Sequence, residues 1–129
     1  MSRRVLLSNS AENDLSKLGF DSVQMAHSLE LAARLQDFDK PEEIQDLEIR
    51  QLDHFFEVRQ LFDLGGPLRS RQLQLRFGVV ERNNGDIVIL QATDNHEDPD
   101  TIEMIVLEDR YQSYLLSTVA AKVLVGSTV

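Results

Sequence analysis

The first third of the chain follows a helical period after one short apolar segment. Residues 4–8 predict a short strand, and polar residues suited to a helix N-cap follow it. The next apolar positions recur at spacings of three and four, which predicts a helix that Gly19 ends. A second helix is predicted from Asp21 or Ser22 to about Gln36, so the two helices form a hairpin. The apolar stripes consist of Ala11, Leu15 and Leu18 in the first helix and of Met25, Leu29, Ala32 and Leu35 in the second.

From residue 54 onward the period changes from helical to strand-like. Residues 55–62 are rich in aromatic and β-branched side chains, and Leu-Gly-Gly-Pro at 64–67 predicts a turn. In the following strand apolar and polar residues alternate, so one face should pack on the core and the other should meet solvent. The residues assigned to the solvent face are Gln72, Gln74, Arg76 and Gly78. Asn84-Gly85 is a hairpin signal before the apolar run 87–90, so these three strands are predicted to form an antiparallel meander.

The remaining segments complete an α+β arrangement. Residues 37–53 are acidic and predict a connector with a short helical turn. Asp-Pro-Asp at 98–100 predicts a helix start, with an acidic cap and proline at the first helical position. For residues 117–129 the pattern leaves a continued helix, an edge strand and a frayed, flexible tail open. We therefore predict one domain over residues 1–129, built from an N-terminal strand and helical hairpin, a three-stranded antiparallel meander and a C-terminal helix.

Composition narrows the classes of function. The chain has no cysteine, which excludes disulfides, thiolate catalysis and cysteine-held metals. Only three apolar residues follow Arg3 and Arg4, too few for a signal-peptide core or a membrane span. The formal net charge of -9 disfavours broad attraction to nucleic acid or to an anionic membrane. We expect a cytoplasmic, acidic protein with no membrane association, and no motif indicates a cofactor or a metal.

The charge is unevenly distributed along the chain. Residues 59–82 contain five arginines and two acidic residues, so this window carries +3 within a chain of net charge -9. Acidic residues are concentrated at 37–48 and again at 94–109. Because most of the arginine-rich window is predicted strand, the sequence predicts one cationic surface on the sheet. Such a patch can bind an anionic partner although the whole molecule repels it.

Several short motifs occur in an order that resembles the RelE/ParE toxin superfamily, including its HigB-like and phage-derived branches. The resemblance covers roughly residues 4–115, and the order of the motifs carries it. The motifs are Val5-Leu6-Leu7-Ser8 with Ala11 and Asp14-Leu15, Glu57-Val58-Arg59, Gly66-Pro67-Leu68-Arg69, Asn84-Gly85-Asp86 before Ile87-Val88-Ile89-Leu90, and Pro99, Glu103 and Arg110.

The resemblance implies a RelE-like fold and a toxin of a toxin–antitoxin system, neutralised by a cognate antitoxin protein. Members of the superfamily either cleave mRNA, usually on the ribosome, or inhibit DNA gyrase. Such RNA cleavage is metal-independent and needs a base, an acid and cations that stabilise the charge developing at the phosphate. Arginine suits the last role because its planar fork binds two phosphate oxygens.

The residues that the resemblance nominates fall into two sets. The catalytic candidates are Arg59, Arg69, Arg71 and His96, and the RNA- or partner-binding candidates are Arg76, Arg82, Arg110, Tyr111 and Tyr114. Each has a structural alternative: a solvated sheet face for the arginines, a polar loop for His96, and a core or partner-facing position for the tyrosines. RNA recognition would use the tyrosines to stack on bases.

Two features depart from the family pattern and keep a second hypothesis open. Residues 94–109 carry seven acids and no lysine or arginine, and no lysine lies between Lys40 and Lys122. Acids near the terminal helix repel phosphate. The alternative is a non-catalytic binding or regulatory module on the same fold, such as a gyrase-type inhibitor, a phage or mobile-element accessory protein, or a degenerate toxin. Whether the chain is an enzyme therefore stays open.

Overall fold

The computed structural model describes residues 3–63, 70–81, 85–95, 97–116 and 121–126, with residues 62, 63, 70 and 71 described by their backbone only. Within these ranges the chain forms an α+β fold with three α-helices and a sheet of six strands. The strands are β1 (Val5–Ser8), β2 (Glu48–Leu52), β3 (Phe55–Asp63), β4 (Ser70–Val80), β5 (Asp86–Thr93) and β6 (Ala121–Val125). The helices are α1 (Asn9–Lys17), α2 (Ser22–Ala33) and α3 (Thr101–Leu116), and two short 3-10 turns follow α2 at Arg34–Asp37 and Pro41–Glu43.

Local side-chain chemistry sets the helix boundaries. The Ser8 hydroxyl accepts a hydrogen bond from the Ala11 backbone N–H, which caps α1, and Gly19 after that helix has a φ of 74°. Asp21 and Gln24 form a capping box at the start of α2. These boundaries confirm the predicted helix starts. The third helix begins later than predicted, because the Asp100 carboxylate is the group that caps it, accepting from the Glu103 N–H at 2.8 Å.

The sheet order is β2-β3-β4-β5-β1-β6. The predicted meander of β3, β4 and β5 is confirmed, since both of its pairings are antiparallel. The N-terminal strand β1 lies inside the sheet, parallel to β5 and antiparallel to β6. The sheet is therefore mixed, with β2 and β6 at its two edges.

Two strands complete the sheet beyond the predicted N-terminal strand and meander. The acidic connector contains the predicted short helical turn, at Pro41–Glu43, and also β2, a strand that was not predicted and that pairs antiparallel with β3. Of the three alternatives for the C-terminal segment, the described residues Ala121–Val125 form an edge strand. Strand β6 pairs with β1 at the other end of the chain, whereas β2 forms a hairpin with the next strand through residues 53–54. Neither strand has a strong local strand pattern.

Helices cover both faces of the sheet. Apolar residues of α1 and α2 pack with Val58, Leu75 and Phe77 on one face. On the other face, Leu107 and Tyr114 of α3 pack with Phe55, Val88 and Leu90. The prediction of a solvent-facing side on β4 was therefore wrong for Gln74, Arg76 and Gly78, which are all buried beneath α3 and the loop before it. None of the described helices has the length and apolar character needed to cross a membrane.

Candidate functional site

A row of polar side chains crosses the sheet on the face that α3 covers. The register of the antiparallel pairs places Arg50 of β2 opposite Glu57 of β3, Glu57 opposite Arg76 of β4, and Arg76 opposite Gln91 of β5. Directly opposite residues of paired strands point to the same face of a sheet. The row therefore follows from the register of four strands, and it brings together residues up to 41 positions apart (91 − 50).

Glu57 is at the centre of this row and is completely buried. Its Oε1 accepts from Arg50 Nε at 3.0 Å and from Arg59 Nε at 2.6 Å. Its Oε2 accepts from Arg76 Nε at 2.8 Å and from the Gln74 amide at 3.3 Å. Burial alone raises the pKa of Glu57, but the hydrogen bonds from the three arginines outweigh burial and hold the pKa below its ordinary value. The carboxylate is therefore ionised at neutral pH.

Among the arginines whose side chains the structure describes, Arg76 is the most completely enclosed, with 0% of its surface exposed. Beyond Glu57, its Nη1 donates to Gln91 Oε1 at 2.8 Å and to Glu103 Oε2 at 2.7 Å. Its Nη2 donates to the Glu97 backbone carbonyl at 3.0 Å. All three nitrogens of the guanidinium are thus engaged by groups of the chain itself.

Arg50 and Arg59 are nearer the surface and share a second carboxylate. Asp98, in the loop before α3, places Oδ1 2.5 Å from Arg50 Nη2 and 3.3 Å from Arg59 Nη2. The hydrogen bond with Arg50 lowers the pKa of Asp98, and the same contact raises the pKa of Arg50. The side chain of Arg50 is 34% exposed and that of Arg59 only 16%.

We call these six charged residues the Glu57 cluster: Arg50, Glu57, Arg59, Arg76, Asp98 and Glu103. Three guanidinium groups meet three carboxylates, so the cluster is formally neutral. Two of the carboxylates come from the acidic segment that precedes and begins α3. Within the described residues, the predicted cationic surface is therefore corrected: the sheet arginines lie inside an ion-pair network.

The other predicted site residues are distributed as follows. Arg69, Arg82 and His96 lie outside the described residues, and Arg71 is described only as a backbone partner of Phe62. These four residues therefore stay predictions, and the structure brings Arg59 together with Arg76 alone among the nominated arginines.

Arg110 takes part in a separate contact, at the edge of β5. Its Nη1 donates to Asp14 Oδ2 at 2.7 Å and to the Leu90 carbonyl at 2.9 Å. The same Asp14 oxygen accepts from the Ala92 N–H at 3.2 Å. Because β1 ends at Ser8, whereas β5 continues to Thr93, these side chains satisfy backbone groups that a longer β1 would have paired.

The two tyrosines of α3 lie on the side of the helix that packs on the sheet. Tyr114 is 6% exposed, and the Tyr111 ring meets Phe55 edge-on with ring centres 5.7 Å apart. A Cβ on Gly78 would lie 3.3 Å from the Tyr111 ring, so glycine at this position allows the helix to approach the sheet closely. Of the two positions open to the tyrosines, the core is the one observed.

Sequence reasoning missed the acidic half of the Glu57 cluster as a binding partner for the arginines. In the sequence, Glu57 stands out only as part of a motif, and the acids of residues 94–109 indicate repulsion of phosphate. The signal that was present is the opposite charge of two segments, the arginines of residues 59–82 and the acids of residues 94–109, but pairing them requires the tertiary structure. Arg50 lies on a strand that the pattern did not predict.

The Glu57 cluster is built for binding within the protein rather than for proton transfer. Glu57 is ionised but enclosed, so it has no access to a substrate hydroxyl, and a general base must reach the proton that it removes. Among the described side chains, no group of three or more His, Asp or Glu residues is placed to hold a metal ion.

Comparisons with protein-family models, curated proteins and solved structures found no match for this chain. The resemblance to RelE/ParE toxins therefore rests on the quoted motifs alone and stays a prediction.

Proposed function

We propose that this chain is a non-catalytic module that acts by binding another protein. The observation that supports this proposal is the internal neutralisation of the Glu57 cluster. Metal-independent RNA cleavage needs cations free to stabilise the charge that develops on phosphate. In the described part of the sheet, Arg50, Arg59 and Arg76 each donate to carboxylates of the chain itself.

A phosphate group would have to displace those carboxylates before it reached the arginines. Arg76 is fully buried, and Arg59 is held by Glu57 at 2.6 Å. The net charge of -9 opposes the approach of a polyanion, since association with nucleic acid depends on neutralising phosphates with cationic side chains. A protein ligand meets no such obstacle.

A second proposal is a toxin component paired with a cognate antitoxin. It is supported by the order of elements from β1 to α3, which agrees with the order expected from the resemblance. In this proposal the target is a protein such as gyrase, or mRNA on the ribosome if Arg59, Arg69, Arg71 and His96 act together as the resemblance implies. The antitoxin would cover the sheet arginines.

Induced expression of the wild type and of Arg59→Ala separates the proposals. Arg34→Ala is the matched control, because Arg34 is also ion-paired, with Asp46 at 2.6 Å, but belongs to the turn after α2. A non-catalytic module should leave mRNA intact in all three strains, whether or not binding of its protein partner slows growth. Growth arrest with mRNA cleavage that Arg59→Ala alone abolishes would overturn the first proposal and support a nuclease toxin.

Growth arrest without mRNA cleavage leads to a gyrase assay. Inhibition of DNA supercoiling by the purified wild-type protein would identify the target and support the toxin proposal in its non-catalytic form. Circular dichroism of each purified variant establishes that a loss of activity is not a loss of fold.

A further inference from the structure

The solvent-facing side of α3 carries a stripe of residues at alternating spacings of three and four. We call this the α3 stripe; it consists of Ile102, Ile105, Asp109, Gln112 and Leu116. The three apolar members are 71%, 63% and 88% exposed, respectively. Alternating spacings of three and four define the seam of a two-helix coiled coil, in which each position faces the partner helix.

The α3 stripe is not needed to hold the helix on its own domain. The opposite side of α3 already packs on the sheet through Leu107 and Tyr114, with Met104 and Tyr111 beside them. Of the six large apolar side chains that are exposed in the described ranges, three lie on this one stripe. The stripe is about 21 Å long, from a rise of 1.5 Å per residue over fourteen residues. An apolar surface of this kind marks a binding site for a protein partner.

Charge identifies the kind of partner. Asp109 stands at the midpoint of the α3 stripe and is exposed, and Glu108 lies next to it. Arg110, the single basic residue of the helix, is turned away and paired with Asp14. The stripe is therefore apolar at both ends and acidic in the middle, on a chain of net charge -9.

The same charge argues against a second copy of this chain as the occupant. A symmetric pairing in which two α3 stripes overlap over their full length places the midpoint residue Asp109 beside its own counterpart, because residues 102 and 116 are equally distant from it. Two unpaired carboxylates at the centre of a dry seam are unfavourable, and two molecules of charge -9 repel each other. A lysine or arginine opposite Asp109 removes this obstacle.

We infer that the α3 stripe docks a cationic amphipathic helix of another protein, with apolar residues at both ends of its seam and a lysine or arginine opposite Asp109. This inference rests on the proposed binding function and names the surface and the partner chemistry. A single charged residue at a seam position fixes the register of two helices, so Asp109 selects the partner as well as attracting it.

Two synthetic peptides of about 21 residues, three heptads long, test the inference. The first has leucines at the outer seam positions, lysine at the central one and lysines on the flanks, and the second replaces every lysine by glutamate. Fluorescence anisotropy should show that the cationic peptide binds the full chain, more weakly at high salt, and that the acidic peptide does not bind.

Matched variants locate the binding surface. Ile105→Ser should weaken binding at least tenfold, whereas Val23→Ser should not, although Val23 on α2 is equally exposed at 63%. Asp109→Lys should abolish binding of the cationic peptide and allow binding of the acidic one. Glu30→Lys is its control, since it makes the same charge change on an exposed residue of α2.

Three results would overturn the inference. The first is equal binding of both peptides, and the second is no binding of the cationic peptide at about 1 mM, which corresponds to a negligible affinity. The third is an equal effect of Ile105→Ser and Val23→Ser on peptide binding. Sedimentation that shows a dimer disrupted by Ile105→Ser would assign the stripe to a second copy instead. RNA cleavage by the wild-type protein would overturn the proposed function but would leave the peptide results unaffected, so the two failures are distinguishable.

Discussion

Replacing Glu57 by glutamine should destabilise the protein more than any other single change from glutamate to glutamine in the described residues. The substitution keeps the size of the side chain but removes the charge that three arginines share. The amide also introduces N–H donors where only acceptors are needed, so it cannot accept from Arg50, Arg59 and Arg76 together.

The loss of stability in Glu57→Gln depends on how deeply each of the three arginines is buried. Removing one partner of a buried ion pair costs about 3–5 kcal/mol, because the remaining charge is left without compensation in a site that excludes water. Arg76 is fully buried but keeps Glu103, whereas Arg50 and Arg59 are partly exposed and keep Asp98. We therefore expect about 3 kcal/mol, the lower end of that range. For a domain of this size that loss lowers Tm by about 9–15 °C.

Urea denaturation at pH 7, followed by circular dichroism, measures the loss as a change in midpoint at constant slope. Glu48→Gln is the matched control, because Glu48 lies on the neighbouring strand β2 with its side chain exposed. It should change the free energy of unfolding by less than about 0.5 kcal/mol. If Glu57→Gln and Glu48→Gln cost the same, the three arginines do not depend on Glu57 and the account of the cluster is wrong.

The same variant has a pH dependence with a definite sign. The folded pKa of Glu57 lies below its ordinary value of 4.5, so the native state binds fewer protons than the unfolded chain in this range. The stability that Glu57 contributes is complete above that ordinary value and is lost as the pH falls through the lowered pKa. The difference between wild type and Glu57→Gln should therefore be constant from pH 8 to about 6 and shrink below about 4. A difference that grows on acidification would refute the reasoning.

Three further substitutions test other parts of the structure. Arg110→Met should lower the free energy of unfolding by about 1–3 kcal/mol, because Asp14 and the Leu90 carbonyl lose a hydrogen-bond partner. Hydrogen exchange of the Ala92 amide, which donates to Asp14, should accelerate. Unchanged exchange would mean that Asp14 holds this strand edge without Arg110. Gly19→Ala should destabilise the protein by about 1 kcal/mol, because alanine is strained at a φ of 74°, and Gly19→Asn should destabilise it less. Thermal denaturation measures both effects. Equal Tm values for the wild type and the two variants would contradict this prediction. Asp21→Ala removes the capping box of α2 and should cost about 1 kcal/mol with a small loss of helical signal, whereas Asp21→Asn should keep most of that stability.

The parts of the fold that were predictable are those set by neighbours in the sequence. Ser8, Gly19 and Asp21 bound the first two helices through contacts within four residues, so the local pattern was sufficient. The meander was predictable for the same reason, since its strands follow one another closely in the sequence. Strand β2 was not predicted although it also pairs with its neighbour in the sequence, because its segment is exposed and charged and Asp53-His54, which joins it to β3, lacks the glycine that signals a hairpin.

Of the six members of the Glu57 cluster, the sequence nominated only Arg59 and Arg76, both in the arginine-rich window. Alternation along β4 indicated that this face is exposed to solvent, which the structure contradicts. Whether such a face is exposed depends on what a later segment places over it. Here Asp98, in the loop before α3, and Glu103, in α3, pair with the arginines. The alternation of residues along β4 contains no information on this tertiary contact.

The position of β1 between β5 and β6 has a consequence for the order in which the protein folds. Val5 pairs with Ile87 on one side and with Val125 on the other, so both of its neighbours are far along the chain. Closing such long loops costs more entropy than closing the short connections between β3, β4 and β5, and contacts of this range slow folding. During synthesis β2 to β5 can assemble before β6 has been made. Val5 and Leu7 of β1, which are buried in the finished molecule, then have no strand paired on the side that β6 later occupies. Burial of the first strand is therefore completed only when β6 leaves the ribosome, and until then the apolar edge of β1 is open to pairing with other chains.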